Sequence, residues 1–175
     1  MDVFKVIEAR RSIRRYSPRP IPEEDLRMIL EAGRLAPSAG NRQPWRFIIV
    51  RDRVRREALG RAADNQSFIS DAGVVLVVTG DPSISRRWYL QDPMIAVEHI
   101  VLEATALGYG TCWIGAFDEG EVKRICRIPE DLRVIALLPI GAPNESPPPR
   151  WRRPLREIAF QEEYGRPLSF EEPPS

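Results

Sequence analysis

Residues 73–79 read Gly-Val-Val-Leu-Val-Val-Thr, an apolar, β-branched run with no charged side chain. A strand with one face in water alternates apolar and polar residues. An unbroken run of this length is a central strand buried on both faces. Residues 45–50 and 132–138 read as further strands, the second also buried, and 111–115 as a short one. Apolar residues at helical spacing place helices over 3–11, from 23 to before Pro37, 53–63, about 92–107, and from an Asp118 cap through 126. On the first helix Val3, Phe4 and Ile7 share a side, with Val6 beside them. Pro22 fits a first helical turn, and Glu23, Glu24 and Asp25 suit the positive end of the helix dipole. Nine of the 17 prolines lie at or after Pro139, and that end, with Pro147-Pro148-Pro149, reads as an extended arm outside the core. At 175 residues the chain fits one domain.

Composition narrows the chemistry. One histidine, His99, and two distant cysteines, Cys112 and Cys126, argue against a His/Cys metal site and against Ser–His or Cys–His catalysis. His99 in mid-helix and Cys112, with nothing nearby to activate it, read as packing residues. Any chemistry then falls to a bound cofactor. The apolar runs are strand-sized, far short of the roughly 20 residues of a membrane helix. The first residues lack the apolar run of a signal peptide, so the expected location is cytoplasmic. A net charge of +1 argues against a generic nucleic-acid binder. The charge is nonetheless segregated: residues 1–61 carry 15 basic and 8 acidic side chains, residues 62–175 carry 11 and 17.

Arg10-Arg11-Ser12-Ile13-Arg14-Arg15 opens a stretch with five arginines and no acid between Glu8 and Glu23. Guanidinium forks match phosphate oxygens in pairs, and Ser12 adds a hydroxyl and an N–H. A second group, Arg150, Arg152, Arg153 and Arg156, follows the prolines, and the two groups could close on one phosphate. The alternative is a solvated basic surface. In the turn from Pro37 to Trp45, Asn41 and Gln43 each carry donor and acceptor, which suits the edge of a heterocycle such as a flavin pyrimidine. The alternative is an ordinary helix-to-strand loop anchored by Trp45. The segment Gly108-Tyr109-Gly110-Thr111-Cys112-Trp113-Ile114-Gly115 is not a dinucleotide fingerprint. The third glycine would fall on Trp113, and these glycines end a helix and open a strand, the reverse of a Rossmann turn. Gly108 and Gly110 instead cap the long helix, and Gly115 lets a flat ligand approach the backbone.

Arg10-Arg11-Ser12-Ile13-Arg14 resembles the R-[RH]-S-x-[RK] opening of the nitroreductase family of FMN-dependent flavoproteins. The turn Ala36 to Trp45 resembles its A-P-S-x-x-N-x-Q-P-W signature, Ala104 to Gly115 its A-x-x-L-G-x-G-x-x-W-I-G segment, and Arg152 to Ile158 its R-[RK]-P-L-x-E-[IV]. The four run in family order over about residues 3–160.

The resemblance implies an α+β fold, a three-layer α-β-α sandwich on a mixed, mainly antiparallel sheet. It also implies an intertwined homodimer with FMN at the subunit interface. Residues 1–160 would form a single FMN-binding domain and 161–175 a C-terminal extension. Arg10, Ser12 and Arg152 or Arg153 would hold the FMN phosphate, with Arg11 helping through backbone or ribityl contacts. Arg14 would lie near the flavin N1/O2 edge as the catalytic residue. Pro37, Ser38, Asn41 and Gln43 would approach the flavin from the partner subunit. The Trp113-Ile114-Gly115 backbone would line the ring near N5, and Asn65 would reach the pyrimidine edge. The implied activity passes hydride or electrons from NAD(P)H to a small organic acceptor such as a nitroaromatic or quinone by a ping-pong mechanism, with no metal, nucleic acid or membrane. Some members carry a glutamate near N5 where this chain has Gly115-Ala116. Few residues separate the 73–79 strand from the long helix, where larger members place specificity helices, so a more open pocket is expected. The alternatives are a specialised member (a dehalogenase, an oxidase or a flavin-fragmenting enzyme) and, from another class, a non-enzymatic basic module binding RNA or another polyanion through residues 1–61.

Overall fold

Strand β2 (Val74–Gly80) is buried at every position. Its neighbours are β1 (Trp45–Val50) and β4 (Arg133–Gly141), and a two-residue β3 (Gly110–Thr111) pairs with the outer side of β4. The computed structural model describes residues 2–168, so residues 169–175 of the expected C-terminal extension lie outside the described residues. All pairings between these strands are antiparallel. Instead of the expected mixed sheet, the parallel contact among the described residues is an isolated bridge, Ser12 to Thr111.

Side chains alternate across a strand, so β2 needs apolar cover on two sides. Val74, Leu76 and Val78 join Leu26 and Ile29 of α2 (Glu23–Arg34) and Val97, Ile100 and Val101 of α4 (Gln91–Ala106). Val75 and Val77 join Leu59 of α3 (Arg53–Ala62) and Val122 of α5 (Glu119–Cys126). Each such burial contributes about 1.5–3 kcal/mol. Asp52 and Asp118 cap α3 and α5, their carboxylates accepting from the Arg55 and Glu121 N–H groups at 2.9 Å. Pro22 stands at the cap of α2 and not in its first turn, its carbonyl accepting from Leu26 N–H at 3.0 Å. No helix among the described residues is long and apolar enough to cross a membrane.

Further expectations change. Helix α1 (Val3–Ala9) buries Val6, while Val3, Phe4 and Ile7 are 68%, 65% and 51% exposed. The helix also ends before residue 11, where the Arg11 guanidinium donates back to the carbonyls of Glu8 and Arg10. Pro139 belongs to β4 and not to the arm. It also explains why the 111–115 strand shrinks to Gly110–Thr111. The pairings Gly110–Gly141, Thr111–Ile140 and Ile114–Leu137 share one register, but between them Cys112 faces Pro139. Cys112 N–H reaches Pro139 O at 3.4 Å, and the proline has no N–H to return.

The two glycines around β3 have separate duties. Gly108, at φ +83°, ends α4 in a Schellman turn, with Gly108 N–H on Thr105 O and Tyr109 N–H on Ala104 O at 3.0 and 2.8 Å. Gly110 caps nothing. It leaves room for Ile13, whose Cγ1 would lie 2.5 Å from an added Cβ. A Gly110→Ala substitution should therefore cost about 1–3 kcal/mol through overpacking, read as a lower urea midpoint at unchanged slope.

Candidate functional site

The outer edge of β3 governs what can dock on this side of the sheet. Successive residues of an antiparallel strand turn their N–H and C=O groups alternately toward and away from the partner. Ile114 exchanges both bonds with Leu137, so Thr111, Trp113 and Gly115 face outward. The Thr111 carbonyl is taken by Ile13 N–H at 2.8 Å. Among the described residues the Trp113 and Gly115 N–H groups have no acceptor. At about 3.4 Å per residue they lie about 7 and 14 Å along the edge from that docking point. The Trp113 ring packs into the α2/α4 cluster, and a Cβ added at Gly115 would meet nothing within 4 Å.

Beyond Ile13 the chain is clamped to the segment that follows β4. Tyr16 bridges Pro143, Ser17 N–H donates to Ala142 O and Asn144 N–H to Arg15 O, both at 2.9 Å. Glu145 Oε1 accepts from Arg14 N–H at 2.5 Å and Arg15 N–H at 3.0 Å. The proline segment then folds back. Arg150 and Arg152 meet Arg10, Arg11, Ser12 and Arg14 around a cleft of about 710 Å³, walled on its apolar side by Phe4, Ile7 and Pro147 to Pro149. Sequence reasoning gave Arg152 or Arg153; the structure places Arg152 and Arg150 on the cleft and leaves Arg153 outside its lining. Among the described residues no carboxylate is ion-paired with Arg10, Arg14, Arg150 or Arg152. Guanidiniums free of carboxylate partners, beside a serine, suit a phosphate group, although Arg152 also donates to the Arg150 and Trp151 carbonyls.

Two buried groups lie near these arginines. Burial pushes the Cys112 thiol up, against the pull of Arg14 and Arg10, and pushes the Tyr16 phenol up as well. A raised thiol pKa and 2% exposure both disfavour a thiolate at Cys112, in keeping with a packing residue. Among the described residues no three His, Cys, Asp or Glu side chains gather into a metal site.

The Pro37 to Trp45 turn lies apart from the cleft within this chain. Gly40, Asn41 and Gln43 all hold positive φ, at 58°, 54° and 51°. For a non-glycine residue that costs about 1 kcal/mol or more. Internal bonds hold the shape: Gln43 N–H on Ser38 Oγ at 2.9 Å and Gln43 Nε2 on Asn41 Oδ1 at 3.1 Å. The other amide atoms of Asn41 and Gln43 remain without a partner among the described residues, and both side chains are exposed. Asn65, also at positive φ, lines neither the cleft nor the turn but a polar groove with Arg61, Asp118 and Arg124.

Two residues escaped sequence reasoning. Glu145 sits among prolines with no motif to single it out. Asp92 looks like an ordinary first-turn acid, yet it is 5% exposed and its Oδ2 accepts from Ala39 N–H, in the middle of the turn, at 3.2 Å.

A sequence profile of the nitroreductase family matches residues 7–67 and 61–142. The chain belongs to the nitroreductase family. An Archaeoglobus fulgidus relative, provisionally named an NADH dehydrogenase/NAD(P)H nitroreductase, is 39% identical over 82% of this chain and 87% of its own length. A nitroreductase family protein of known structure from Clostridium novyi NT is 32% identical, with a TM-score of 0.79 over 96% of this chain and 97% of that one. The NADPH:FMN oxidoreductase from Vibrio harveyi, solved in complex with NAD+, is 25% identical, with a TM-score of 0.86 over 93% of this chain and 77% of that one.

The buried Asp92 carboxylate should be worth more to the fold than an exposed acid. Asp92→Ala should destabilise the chain by about 1–3 kcal/mol, because Ala39 N–H loses its acceptor, while Asp92→Asn stays within about 1 kcal/mol of wild type. Urea titrations of the two variants at one pH decide it.

Proposed function

We propose that this chain is an FMN-dependent oxidoreductase that passes hydride or electrons from NAD(P)H to a small organic acceptor such as a nitroaromatic or quinone. One observation carries the reading. Arginines from opposite ends of the chain, Arg10 to Arg14 and Arg150 with Arg152, converge with Ser12 on one cleft, free of carboxylate ion pairs among the described residues. The donor set has the chemistry of a phosphate monoester site, and FMN stands in the name of the Vibrio harveyi relative. The outward Trp113 and Gly115 amides on the same strand edge suit a flat ring that presents acceptors.

Bound FMN would supply two-electron exchange between nicotinamide and acceptor. The chain's own residues bind and orient. Arg10, Ser12 and Arg150 or Arg152 hold the phosphate, and Arg11 contributes its backbone while its guanidinium caps α1. Arg14 holds positive charge at the N1/O2 edge, an electrostatic role worth about 2–4 kcal/mol in oxyanion-type sites. The Trp113-Ile114-Gly115 backbone lines the N5 side through its two free amides, since both Ile114 groups belong to Leu137. Asn65, which lines a separate groove with Arg61, Asp118 and Arg124 in this chain, is assigned the pyrimidine edge. Pro37, Ser38, Asn41 and Gln43 serve the site of a second copy, in an intertwined homodimer of three-layer subunits. The apolar side chains left exposed at Val3, Phe4, Ile7, Met94, Ile95 and Trp151 favour such a partner. In this reading residues 1–160 form the FMN-binding domain and 161–175 an extension.

The purified protein should be yellow, and NADH or NADPH should bleach it anaerobically. Initial rates with a quinone or nitroaromatic should give parallel double-reciprocal lines, the mark of a ping-pong order. A colourless protein that takes up no added FMN yet binds RNA would overturn the proposal. Arg14→Ala should keep its FMN but be reduced by NAD(P)H about a hundred-fold more slowly. Outright loss of flavin would instead place Arg14 among the phosphate ligands.

A further inference from the structure

Two acids line the arginine cleft, Glu8 and Glu145, and neither is ion-paired with an arginine there; only Glu145 bonds to the backbone that carries Arg14. It spends one oxygen on two consecutive backbone amides, Arg14 N–H at 2.5 Å and Arg15 N–H at 3.0 Å. Charge-assisted bonds of this kind are the strong ones.

The surrounding tethers show what those bonds do. Residues 12 and 13 are anchored on Thr111 of β3, by the Ser12 bridge and the Ile13 N–H bond. Residues 16 and 17 are anchored on Pro143 and Ala142 beyond β4. Arg14 and Arg15 span the gap between these two anchors and belong to no helix or strand. The span is held in the middle by the 144–145 pair: Asn144 N–H on Arg15 O, and the Glu145 carboxylate on both amides. The Arg14 side chain is exposed and has no hydrogen-bond or ion-pair partner among the described residues, so its backbone is what fixes the point from which it projects at the cleft. Glu145 and Arg14 line the same cleft.

We propose that Glu145 is the positioning residue for Arg14. Its carboxylate fixes the 14–15 backbone and so sets the point from which a guanidinium that it does not itself pair with reaches the cleft. The inference rests on the FMN reading for what Arg14 does, but not for how Arg14 is held.

Two variants separate geometry from charge. Glu145→Gln keeps an oxygen acceptor and drops the charge; Glu145→Ala drops both. In the FMN-free protein, amide exchange of a 13–17 peptide read by mass spectrometry should quicken in the Ala variant and stay near wild type in the Gln variant. In the FMN-loaded protein, reduction by NAD(P)H should slow about ten-fold in the Ala variant, about the loss of one charge-assisted bond, and less than about three-fold in the Gln variant. Placed on Arg14→Ala, the Ala change should add no further loss of rate, because a positioning residue has nothing left to position. Unchanged exchange in the Ala variant, a Gln variant as slow as Ala, or fully additive losses would each overturn the proposal. If wild type binds no FMN, the cofactor reading falls. The exchange measurement then decides alone: quickening in Ala but not Gln supports the hold, and no change refutes it.

Discussion

The two-sided burial of Val74–Gly80 is the condition the rest of the molecule has to meet. Each side of that strand requires its own apolar layer, supplied by α2 and α4 on one side and α3 and α5 on the other. With β1 and β4 as its neighbours, β2 is interior, and the remaining edge beside β4 goes to the two residues of β3. A short edge strand satisfies few of its own backbone groups, and those left over receive the arginine-bearing N-terminal loop. The cleft is thus a product of sheet order. Ser12 finds its place because Thr111 is an edge residue, and Gly110 is what allows Ile13 to come that close.

Gathering five arginines on one cleft works against Coulomb repulsion. The cleft is open to water, where charges separated by more than about 8 Å at physiological ionic strength are largely screened, and the covalent and hydrogen-bonded clamps can carry the remainder. The ion pairs the chain does form lie elsewhere: Arg51 with Glu23, Arg133 with Glu119, Arg124 with Glu121. Glu8 and Glu145 do line the cleft, but neither is ion-paired with its arginines, so those guanidiniums keep their charge for a ligand. A net charge near zero conceals this, because the sum says nothing about which acids face which bases.

Much of the fold was legible because its signals are local. The β2 run, the Asp118 cap and the apolar periods of α2 and α4 each depend on neighbours a few residues away, and those elements appear within a residue or two of expectation. The arginine clusters and the asparagine-glutamine turn were legible as chemistry, since few residue types offer those donors. What failed depends on distant partners. Val3, Phe4 and Ile7 have helical spacing, but periodicity cannot say which side of α1 meets the chain. Arg150 and Arg153 are equivalent on paper, and only the path of the proline segment separates them. Asp92 and Glu145 act through backbone amides more than fifty residues away, and no pattern marks an amide as needing a carboxylate.

Pro139 has a further consequence. Its carbonyl points at Cys112 of the edge side, so its missing N–H falls where the ladder is short and already irregular. A slip of β4 by one residue would swap the two sides of the strand and turn that gap toward β2, inside the longer ladder that β4 makes. Valine- and leucine-rich strands slide easily, because one apolar side chain replaces another at little loss. Here a ring closed on its own nitrogen makes the wrong alignment the dearer one. The same residue that shortens β3 thereby proofreads the pairing of the two most buried strands.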